Sequence, residues 1–344
     1  MKNTIKQYFK LLSYSLLFIV LGVSCQQNTE PQIAFYHWKA NAEHSAEVDA
    51  AMKQSASDRV YLHYFDIDVA KSSPTEGDKF EPVYLINKVD SAYQNYNIIP
   101  VIFIVNQVIR ELKNEDVQTL SERITQLVNE ISTHHFNAPI KHLQIDCDWT
   151  AATRHQYFAL LELLKQHFDV SVTIRLHQVK YPDRTGVPPV KSGALMLYNM
   201  GDLRNFTENS ILESNIVADY INTNSTYPLQ LDLALPLFSQ TVLKSNSGKI
   251  NLVKDCNRTL FESQKQQFKQ LSKHVFEVQK DTLFSGFYLR KGNQIKLEES
   301  TEAEIIKSYQ IIKSSQLPVN EIIFYHLDST TLSNINFKSI LQQL

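Results

Sequence analysis

Two aspartates lie two residues apart in the segment Leu143-Gln-Ile-Asp-Cys-Asp-Trp-Thr150 and carry the strongest chemical signal of this chain. In a β-strand alternate side chains share a face, so Asp146, Asp148 and Thr150 are predicted to point one way. Leu143, Ile145, Cys147 and Trp149 would then point the other way. Carboxylates in an otherwise apolar strand are costly unless they face a polar cavity or are well hydrogen-bonded. The segment therefore predicts a strand that presents two carboxylates to a sugar-type pocket.

Eight apolar runs rich in β-branched and aromatic residues alternate with segments of helical spacing. The predicted strands are Gln32–Trp38, Arg59–Asp66, Ile98–Val105, Lys141–Asp148, Val170–His177, Gly193–Met200, Leu229–Phe238 and Glu321–Asp328. Helical faces are predicted around Leu120, Ile124, Leu127, Val128 and Ile131 and around Tyr157, Leu160, Leu161 and Leu164. Asn114 is a predicted N-cap, and Thr301 with Glu304 a predicted capping box. This order predicts an α/β fold, a (β/α)8 TIM barrel.

The least regular part is an insertion at about 241–299, between the seventh and eighth strands. We expect a helix near Leu260–His274 and a hairpin in which Thr282–Arg290 pairs with Gln294–Glu298. Such an insertion would form a lid or a small β-rich cap. Residues 33–344 are accordingly predicted to form a single barrel domain with this insertion.

In such a barrel, functional side chains collect at the C-terminal ends of the strands. The polar and aromatic candidates there are His37, Trp38, Asp66, Asp68, Asn106, Asp146, Asp148, Arg175, His177, Gln178, Tyr198, Asn199, Phe238, Ser239, His326 and Asp328. Together they predict a ligand pocket at this rim. Each also has an ordinary interpretation, since a single histidine is usually a satisfied one. Arg175 could serve only to neutralise Asp146 or Asp148 in a structural ion network.

The N-terminus predicts an exported lipoprotein. Three lysines precede the apolar run Leu11–Val23, and small residues lead to Cys25, as in a cleaved signal. The end of this segment resembles the lipobox of bacterial lipoproteins, in which the cysteine is lipidated. We therefore expect residues 1–25 to be the signal, Cys25 the lipidation site and residues 26–32 a tether. The alternatives are a plain secretory signal and an uncleaved anchor. The expected location is the bacterial cell envelope, as a periplasmic or outer-membrane lipoprotein.

Composition argues against several classes of protein. Without the signal, 31 Lys and Arg face 36 Asp and Glu, a net charge of about −5, which gives no reason to expect nucleic acid. Only 8 glycines occur, with no G-x-G-x-x-G or P-loop pattern, and no cofactor is expected. No H-x-H or H-E-x-x-H pair indicates a metal, and no G-x-S-x-G elbow a serine hydrolase. Cys147 and Cys256 could pair in an oxidising periplasm, or Cys147 could be a buried free thiol.

Three motifs resemble family 18 glycoside hydrolases, the chitinase-like barrels. Ile145-Asp-Cys-Asp-Trp-Thr150 is similar to their fourth-strand Asp-x-Asp-x-Glu. Met196-Leu-Tyr-Asn199 is similar to the Met-x-Tyr-Asp/Asn of their sixth strand. Leu233-Ala-Leu-Pro-Leu-Phe238 is similar to the Leu-Pro-x-Tyr/Phe of their seventh. The resemblance is distant and is closest to bacterial lipoproteins of this type.

In that family the substrate's own acetamido group attacks the anomeric carbon, and the glutamate protonates the leaving oxygen. The resemblance implies that Asp148 orients the acetamido group, Asp146 supports Asp148, and Tyr198 binds the same group. The glutamate position is Thr150, whose hydroxyl cannot serve as a general acid. The family's leading Asp-Gly is likewise replaced, by Leu143-Gln144. The usual chitinase mechanism is therefore not expected.

Three hypotheses follow. The first is a divergent glycoside hydrolase in which Asp148 is the acid, with Asp328, Asp66 or His326 as partner. The second is a non-catalytic, lectin-like barrel whose stacking faces are Trp38, Trp149, Tyr198 and Phe238, although the alternation of the strand points Trp149 away from the pocket. The third is a scaffold or assembly lipoprotein whose rim docks another protein. The expected partners are a glycan or glycan fragment and the membrane, through the lipid anchor, with a protein partner left open.

Overall fold

The computed structural model of this chain describes residues 31–71, 79–253 and 258–344, of which Gln32–Leu344 form one unit. The expected signal, its lipidation site Cys25, most of the tether and Cys256 lie outside the described residues. Among the helices that are described, none is long and apolar enough to span a membrane.

Eight parallel strands close into a barrel. They are β1 Gln32–His37, β2 Arg59–Val69, β3 Asn97–Ile104, β4 His142–Asp146, β5 Asp169–Arg175, β6 Ser192–Met196, β7 Gln230–Pro236 and β8 Val319–Tyr325. Each strand pairs with the next along the chain, and β1 pairs with both β2 and β8. A short antiparallel strand, Phe80–Val83, extends the sheet beside the long β2. The predicted (β/α)8 fold is confirmed.

Helices surround the barrel and enclose the main core. They are α1 Ala46–Gln54, α2 Asn106–Glu111, α3 Val117–Phe136, α4 Arg154–Leu164, α5 Leu176–Lys180, α6 Pro182–Thr185, α7 Ser214–Tyr220, α8 Arg258–Ser263, α9 Glu302–Lys313, α10 Ser329–Ser333 and α11 Phe337–Gln343. Two 3-10 turns, Ser91–Asn95 and Asn114–Asp116, accompany them. The predicted apolar faces of α3 and α4 are buried, apart from a partly buried Leu127. Helical spacing therefore identified the faces that cover the barrel.

The two predicted helix caps had different outcomes. The Thr301 hydroxyl accepts from the Glu304 N–H at 3.4 Å, as predicted for the start of α9. The Glu304 carboxylate instead accepts from the Ser214 N–H, at 2.7 Å. The prediction for Asn114 was wrong, because it lies in a 3-10 turn and α3 begins three residues later, at Val117.

The barrel interior is polar at its N-terminal end. Glu321, buried at the start of β8, accepts from the Arg59 guanidinium at 2.8 Å and from the Tyr61 hydroxyl at 3.0 Å. Asp232 on β7 lies beside them. Burial, with the negative charge of Glu321, raises the pKa of Asp232 to about 7. This end of the barrel therefore holds one buried carboxyl group, one partly buried carboxyl group and one guanidinium.

The insertion lies between β7 and β8, as predicted, and contains a five-stranded antiparallel sheet. In spatial order its strands are Ile250–Val253, Ser239–Lys244, Gln294–Glu299, Val275–Val278 and Phe268–Gln270. The sheet and α8 enclose a second hydrophobic core that includes Phe261, Phe268, Phe276 and Leu297. The insertion is thus more extensive than one helix with one hairpin.

Two predictions inside the insertion were wrong. The helix expected over Leu260–His274 ends at Ser263, and the chain continues into strands whose apolar residues alternate. The hairpin expected between Thr282–Arg290 and Gln294–Glu298 does not form. Thr282–Phe284 pairs instead with Phe287–Leu289, because Ser285 and Gly286 both adopt the positive φ of a tight two-residue turn. Gln294–Glu299 is thereby free to join the centre of the large sheet.

A buried ion pair attaches the insertion to the barrel. The ammonium of Lys296 lies 2.7 Å from the Glu298 carboxylate, and both side chains are inaccessible to solvent. Lys296 also donates to the carbonyl of Asn205 at 2.7 Å, and Glu298 accepts from the N–H of Ser210 at 2.7 Å. Both partners belong to the loop after β6. The insertion is therefore held against that loop by charged, fully paired groups.

Candidate functional site

The paired aspartates lie where β4 ends. The strand stops at Asp146, so Asp148 and Thr150 belong to the following loop. Asp146 accepts from the Thr173 hydroxyl at 2.6 Å, inside the barrel mouth. Cys147 and Trp149 are buried on the opposite side, as alternation predicted, and Cys147 is a free thiol.

Trp149 cannot offer a stacking face to a ligand, so that part of the lectin-like hypothesis was wrong. Its ring stacks on Tyr157 with centroids 5.3 Å apart, and its N–H donates to the carbonyl of Thr185 at 3.1 Å. The residue is part of the core between β4 and α4.

Asp148 is held by Arg175, at the end of the neighbouring strand β5. The guanidinium makes two hydrogen bonds, Nε to Oδ1 at 2.7 Å and Nη2 to Oδ2 at 3.1 Å. Its third nitrogen donates to the carbonyl of Tyr198 at 3.1 Å. The geometry is that of a bidentate pair, in which the carboxylate charge is compensated before any ligand arrives. These contacts agree with the ordinary interpretation of Arg175, in which it neutralises the Asp148 carboxylate.

Asp146 is in a different electrostatic environment. Burial raises its pKa to about 6, and the negative charges of Asp148 and Asp66 act in the same direction. The hydrogen bond from Thr173 and the charge of Arg175 oppose that rise without cancelling it. The carboxyl group of Asp146 therefore changes protonation state near neutral pH.

Thr150 takes part in a hydrogen-bonded turn. Its N–H donates to the Thr153 hydroxyl at 2.9 Å, and that hydroxyl donates to the Asn106 side chain at 2.9 Å. The Thr150 hydroxyl is 3.3 Å from the same Thr153 oxygen. The position that the resemblance assigns to the acid thus holds a neutral group bonded within its own loop.

A cavity of about 650 Å³ opens between the barrel rim and the insertion. Five predicted residues line it, namely Trp38, Asn199, Phe238, His326 and Asp328. Tyr325, Gln240 and Leu252 also line it, although the sequence analysis did not single them out. The volume is within the range of small-molecule pockets, about 300–1,000 Å³. Asp146, Asp148 and Arg175 are not among the lining residues, so the predicted residues divide into two groups.

Aromatic rings form one side of this cavity. Tyr325, the last residue of β8, stacks on Tyr198 with centroids 4.9 Å apart and meets Phe238 edge-on at 5.5 Å. Tyr198 is buried behind it, and burial raises its pKa well above the usual range. The ring centroids of Trp38 and Tyr325 are 5.9 Å apart. Tyr198 thus links the two groups, because its ring supports the cavity wall and its carbonyl binds Arg175.

Trp38 is supported by a histidine that the site prediction omitted. The ring of His63 is stacked on the indole at 4.6 Å, with planes 28° apart. The His63 Nε2 lies 2.6 Å from a carboxylate oxygen of Asp66. The predicted ligand-binding residue Asp66 is therefore bound to His63, and its contribution to the cavity wall is indirect.

His37 and His177 do not line the large cavity. Both ring nitrogens of the buried His37 have partners, the Asn41 carbonyl at 3.3 Å and the Tyr93 hydroxyl at 3.2 Å. Burial lowers the pKa of His37 to about 4. His177 lies on α5 and is exposed. His37 thus has the ordinary role of a satisfied histidine.

Asp328 is committed to capping α10. Its carboxylate accepts from the Thr330 N–H at 2.9 Å, the Thr331 hydroxyl at 2.7 Å and His326 at 2.8 Å. Lys39 adds a positive charge 3.2 Å away. Burial alone would raise its pKa, but these partners hold the pKa well below the usual range. Asp328 therefore stays ionised and has no proton to donate. In the described part of the chain, no group of three or more His, Cys, Asp or Glu residues is arranged to hold a metal ion.

Comparison with known proteins gives a likeness of fold. No family model and no curated protein matches the sequence. Among solved structures, the class V chitinase from Nicotiana tobaccum is similar, with 10% identity over 91% of this chain and 98% of that one and a TM-score of 0.52. A mutant of that enzyme in complex with NAG4 gives the same identity and coverage and a TM-score of 0.51. The distant resemblance predicted from the strand motifs is confirmed as a shared barrel fold.

Proposed function

We propose that this protein is an envelope lipoprotein whose barrel binds a glycan in the cavity beside the insertion, without cleaving it. The observation that carries the proposal is the two-point ion pair between Asp148 and Arg175, next to a threonine at the acid position. A general acid must be protonated and within hydrogen-bonding distance of the leaving oxygen. Both carboxylate oxygens of Asp148 are bound by Arg175, and the Thr150 hydroxyl lies 3.3 Å from the Thr153 hydroxyl of its own loop, so neither is placed to act as that acid.

The other predicted acids are also engaged. Asp328 caps a helix in its ionised form, and Asp66 is bound to His63. Asp146 has a raised pKa, but it accepts from Thr173 and is not one of the residues lining the cavity. The carboxylates of the rim therefore make structural contacts at the barrel mouth, and these contacts occupy the groups that catalysis on a ligand would need.

The cavity itself suits a sugar. Trp38, Phe238 and Tyr325 offer apolar ring surfaces, and Asn199 and Gln240 offer polar groups beside them. Binding sites for small ligands combine such apolar walls with a few polar groups that fix orientation. Occurrence of this fold in a chitinase and in its mutant complexed with NAG4 is consistent with a glycan ligand.

A second candidate, a divergent glycoside hydrolase, has one observation in its favour. The pKa of Asp146, about 6, is in the range in which a carboxyl group can donate a proton near neutral pH. This function would require the sugar to pass beyond the cavity toward β4 and β5. Cleavage that Asp146→Asn abolishes would support it.

The envelope location rests on the N-terminal segment, whose basic start, apolar run and Cys25 are typical of a lipoprotein signal. Metabolic labelling with an alkyne fatty acid tests it, since the wild-type chain should be labelled and Cys25→Ser should not.

The binding function is tested on the soluble chain from Gln26 onward. Isothermal titration against NAG4, peptidoglycan glycan fragments and other oligosaccharides should give saturable binding to at least one glycan. Trp38→Ala should weaken that binding more than tenfold. Absence of binding to any glycan would overturn the proposal.

A further inference from the structure

Gln240 connects the cavity with the buried ion pair of the insertion. It is the second residue of the strand Ser239–Lys244 and lines the cavity wall. Its side-chain amide donates to Oε2 of Glu298 at 2.6 Å. The other oxygen of Glu298 is 2.7 Å from the ammonium of Lys296. One end of the Gln240 side chain is therefore attached to a fixed, buried charge.

This contact determines which way the amide faces. An ionised carboxylate has only acceptor oxygens, and an amide has one donor group and one acceptor atom. The group of Gln240 that faces Glu298 must therefore be the NH2, which leaves the carbonyl Oε1 on the other side. An amide without such a partner could present either group to a ligand.

The network behind Gln240 is fully occupied. Glu298 also accepts from the N–H of Ser210 at 2.7 Å and from its hydroxyl at 2.8 Å. Lys296 is held by two backbone carbonyls of the same loop, those of Asn205 and Glu208. Groups held by several hydrogen bonds keep one orientation, as a binding residue requires.

Within the described residues, the hydrogen bonds of the Gln240 side chain all involve its NH2 group, and none involves Oε1. We propose that Oε1 of Gln240 accepts a hydrogen bond from the ligand, and that Glu298 and Lys296 are the positioning residues that fix it. The site thus selects a glycan with a hydroxyl or amide N–H at the edge that faces the insertion. This inference rests on the proposed glycan-binding function.

The test compares Gln240→Leu with a matched control, Gln279→Leu. Gln279 belongs to the same insertion and also donates to a glutamate, Glu277, at 2.9 Å, but it does not line the cavity. The dissociation constants are measured by isothermal titration, with the glycan that wild type binds best among NAG4 and the peptidoglycan fragments. Loss of one hydrogen bond should weaken binding by Gln240→Leu about 3- to 10-fold, and Gln279→Leu should bind like wild type.

Single-deoxy or N-methylated analogues of the same glycan distinguish a direct hydrogen bond between Gln240 and the ligand from a purely structural role of Gln240. One analogue lacks the donor group that faces Gln240. Wild type should bind this analogue more weakly than it binds the parent glycan, and Gln240→Leu should bind the analogue no more weakly than wild type does. A penalty of equal size for every analogue would indicate only a structural role and would overturn the inference. This comparison is made between ligands on one variant, so it holds even if the melting temperature of the variant is lower.

The two proposals fail differently. Equal binding by wild type and Gln240→Leu would overturn the inference and leave glycan binding intact. Failure of the wild type to bind any glycan would overturn both.

Discussion

Asp148, in the loop after β4, and Arg175, at the end of the adjacent strand β5, are joined by two hydrogen bonds of 2.7 and 3.1 Å. Asp148 belongs to the segment whose resemblance to family 18 glycoside hydrolases predicted a substrate-orienting residue. Because the guanidinium also donates to the carbonyl of Tyr198, it links the loop after β4 and the end of β5 to the second residue after β6. The arrangement connects three elements at the barrel mouth and compensates the charge of the Asp148 carboxylate.

Removal of Arg175 should change the titration of Asp146. Arg175 lowers the pKa of Asp146, and Asp148 raises it, so Arg175→Met leaves the second effect uncompensated. We expect the pKa of Asp146 to rise above its value of about 6. Carbon-13 NMR of the side-chain carboxyl groups as a function of pH measures it. Arg204→Met, at an exposed position, is the control, and an unchanged or lower pKa in Arg175→Met would contradict this electrostatic account.

The two tryptophans of the chain should respond differently to a ligand. Trp38 lines the cavity, and Trp149 is buried against Tyr157. We expect a bound glycan to change the fluorescence of wild type and of Trp149→Phe, and to leave that of Trp38→Phe unchanged. A ligand response that persists in Trp38→Phe and disappears in Trp149→Phe would place the ligand elsewhere.

Asp232 should make the fold less stable as the pH rises. Folding raises the pKa of Asp232 from 3.8 to about 7, mainly because the carboxyl group loses contact with water. Between these two pH values the folded chain therefore holds one proton more than the unfolded chain. Stability from this group therefore falls between about pH 4 and pH 7 and is level above that. One pKa unit corresponds to about 1.4 kcal/mol, so Asp232→Asn should be more stable than wild type at pH 8, by on the order of 2–4 kcal/mol. At pH 4 the two should be similar.

Urea unfolding at the two pH values measures this difference. Asp202→Asn, at an exposed position, is the matched control and should leave the pH profile unchanged. An equal stability of Asp232→Asn and wild type at pH 8 would contradict the raised pKa of the Asp232 carboxyl group.

The contribution of the Lys296–Glu298 ion pair to the stability of the fold should depend on both partners. Lys296→Met leaves Glu298 as a buried charge without its cation, which typically costs about 3–5 kcal/mol. The double variant Lys296→Met/Glu298→Gln removes that charge and should recover part of the loss. Chemical denaturation measures both, and Lys307→Met, which removes an exposed lysine 3.6 Å from Glu304, should stay within about 0.5 kcal/mol of wild type. A single variant as stable as the control would exclude this role for the pair.

The barrel could be predicted from the sequence because its signals are local. Strand runs and helical faces such as that of α3 follow from the alternation and spacing of apolar residues. The insertion was harder to predict, because its strands are short and some of them pair with strands that are far away in the sequence. Gln294–Glu299 pairs with Ser239–Lys244, which is about fifty residues earlier, and no local pattern specifies that partner.

The candidate site was only partly predictable, for a related reason. Position at a strand end identified Trp38, Phe238 and His326 as residues of one rim, and they line one cavity. The same rule could not show that Asp328 caps a helix, since that depends on side-chain geometry. Gln240 was missed because its importance comes from Glu298, a partner 58 residues away.

The central claim is that the cavity binds a glycan that the protein does not cleave. The most direct measurement is mass spectrometry of the best-bound glycan after prolonged incubation with a stoichiometric amount of protein, at several pH values from 4 to 8. We expect an intact glycan at every pH, for wild type and for Asp148→Asn alike. Shorter fragments that appear with wild type and disappear with Asp146→Asn or Asp148→Asn would contradict it and establish a hydrolase.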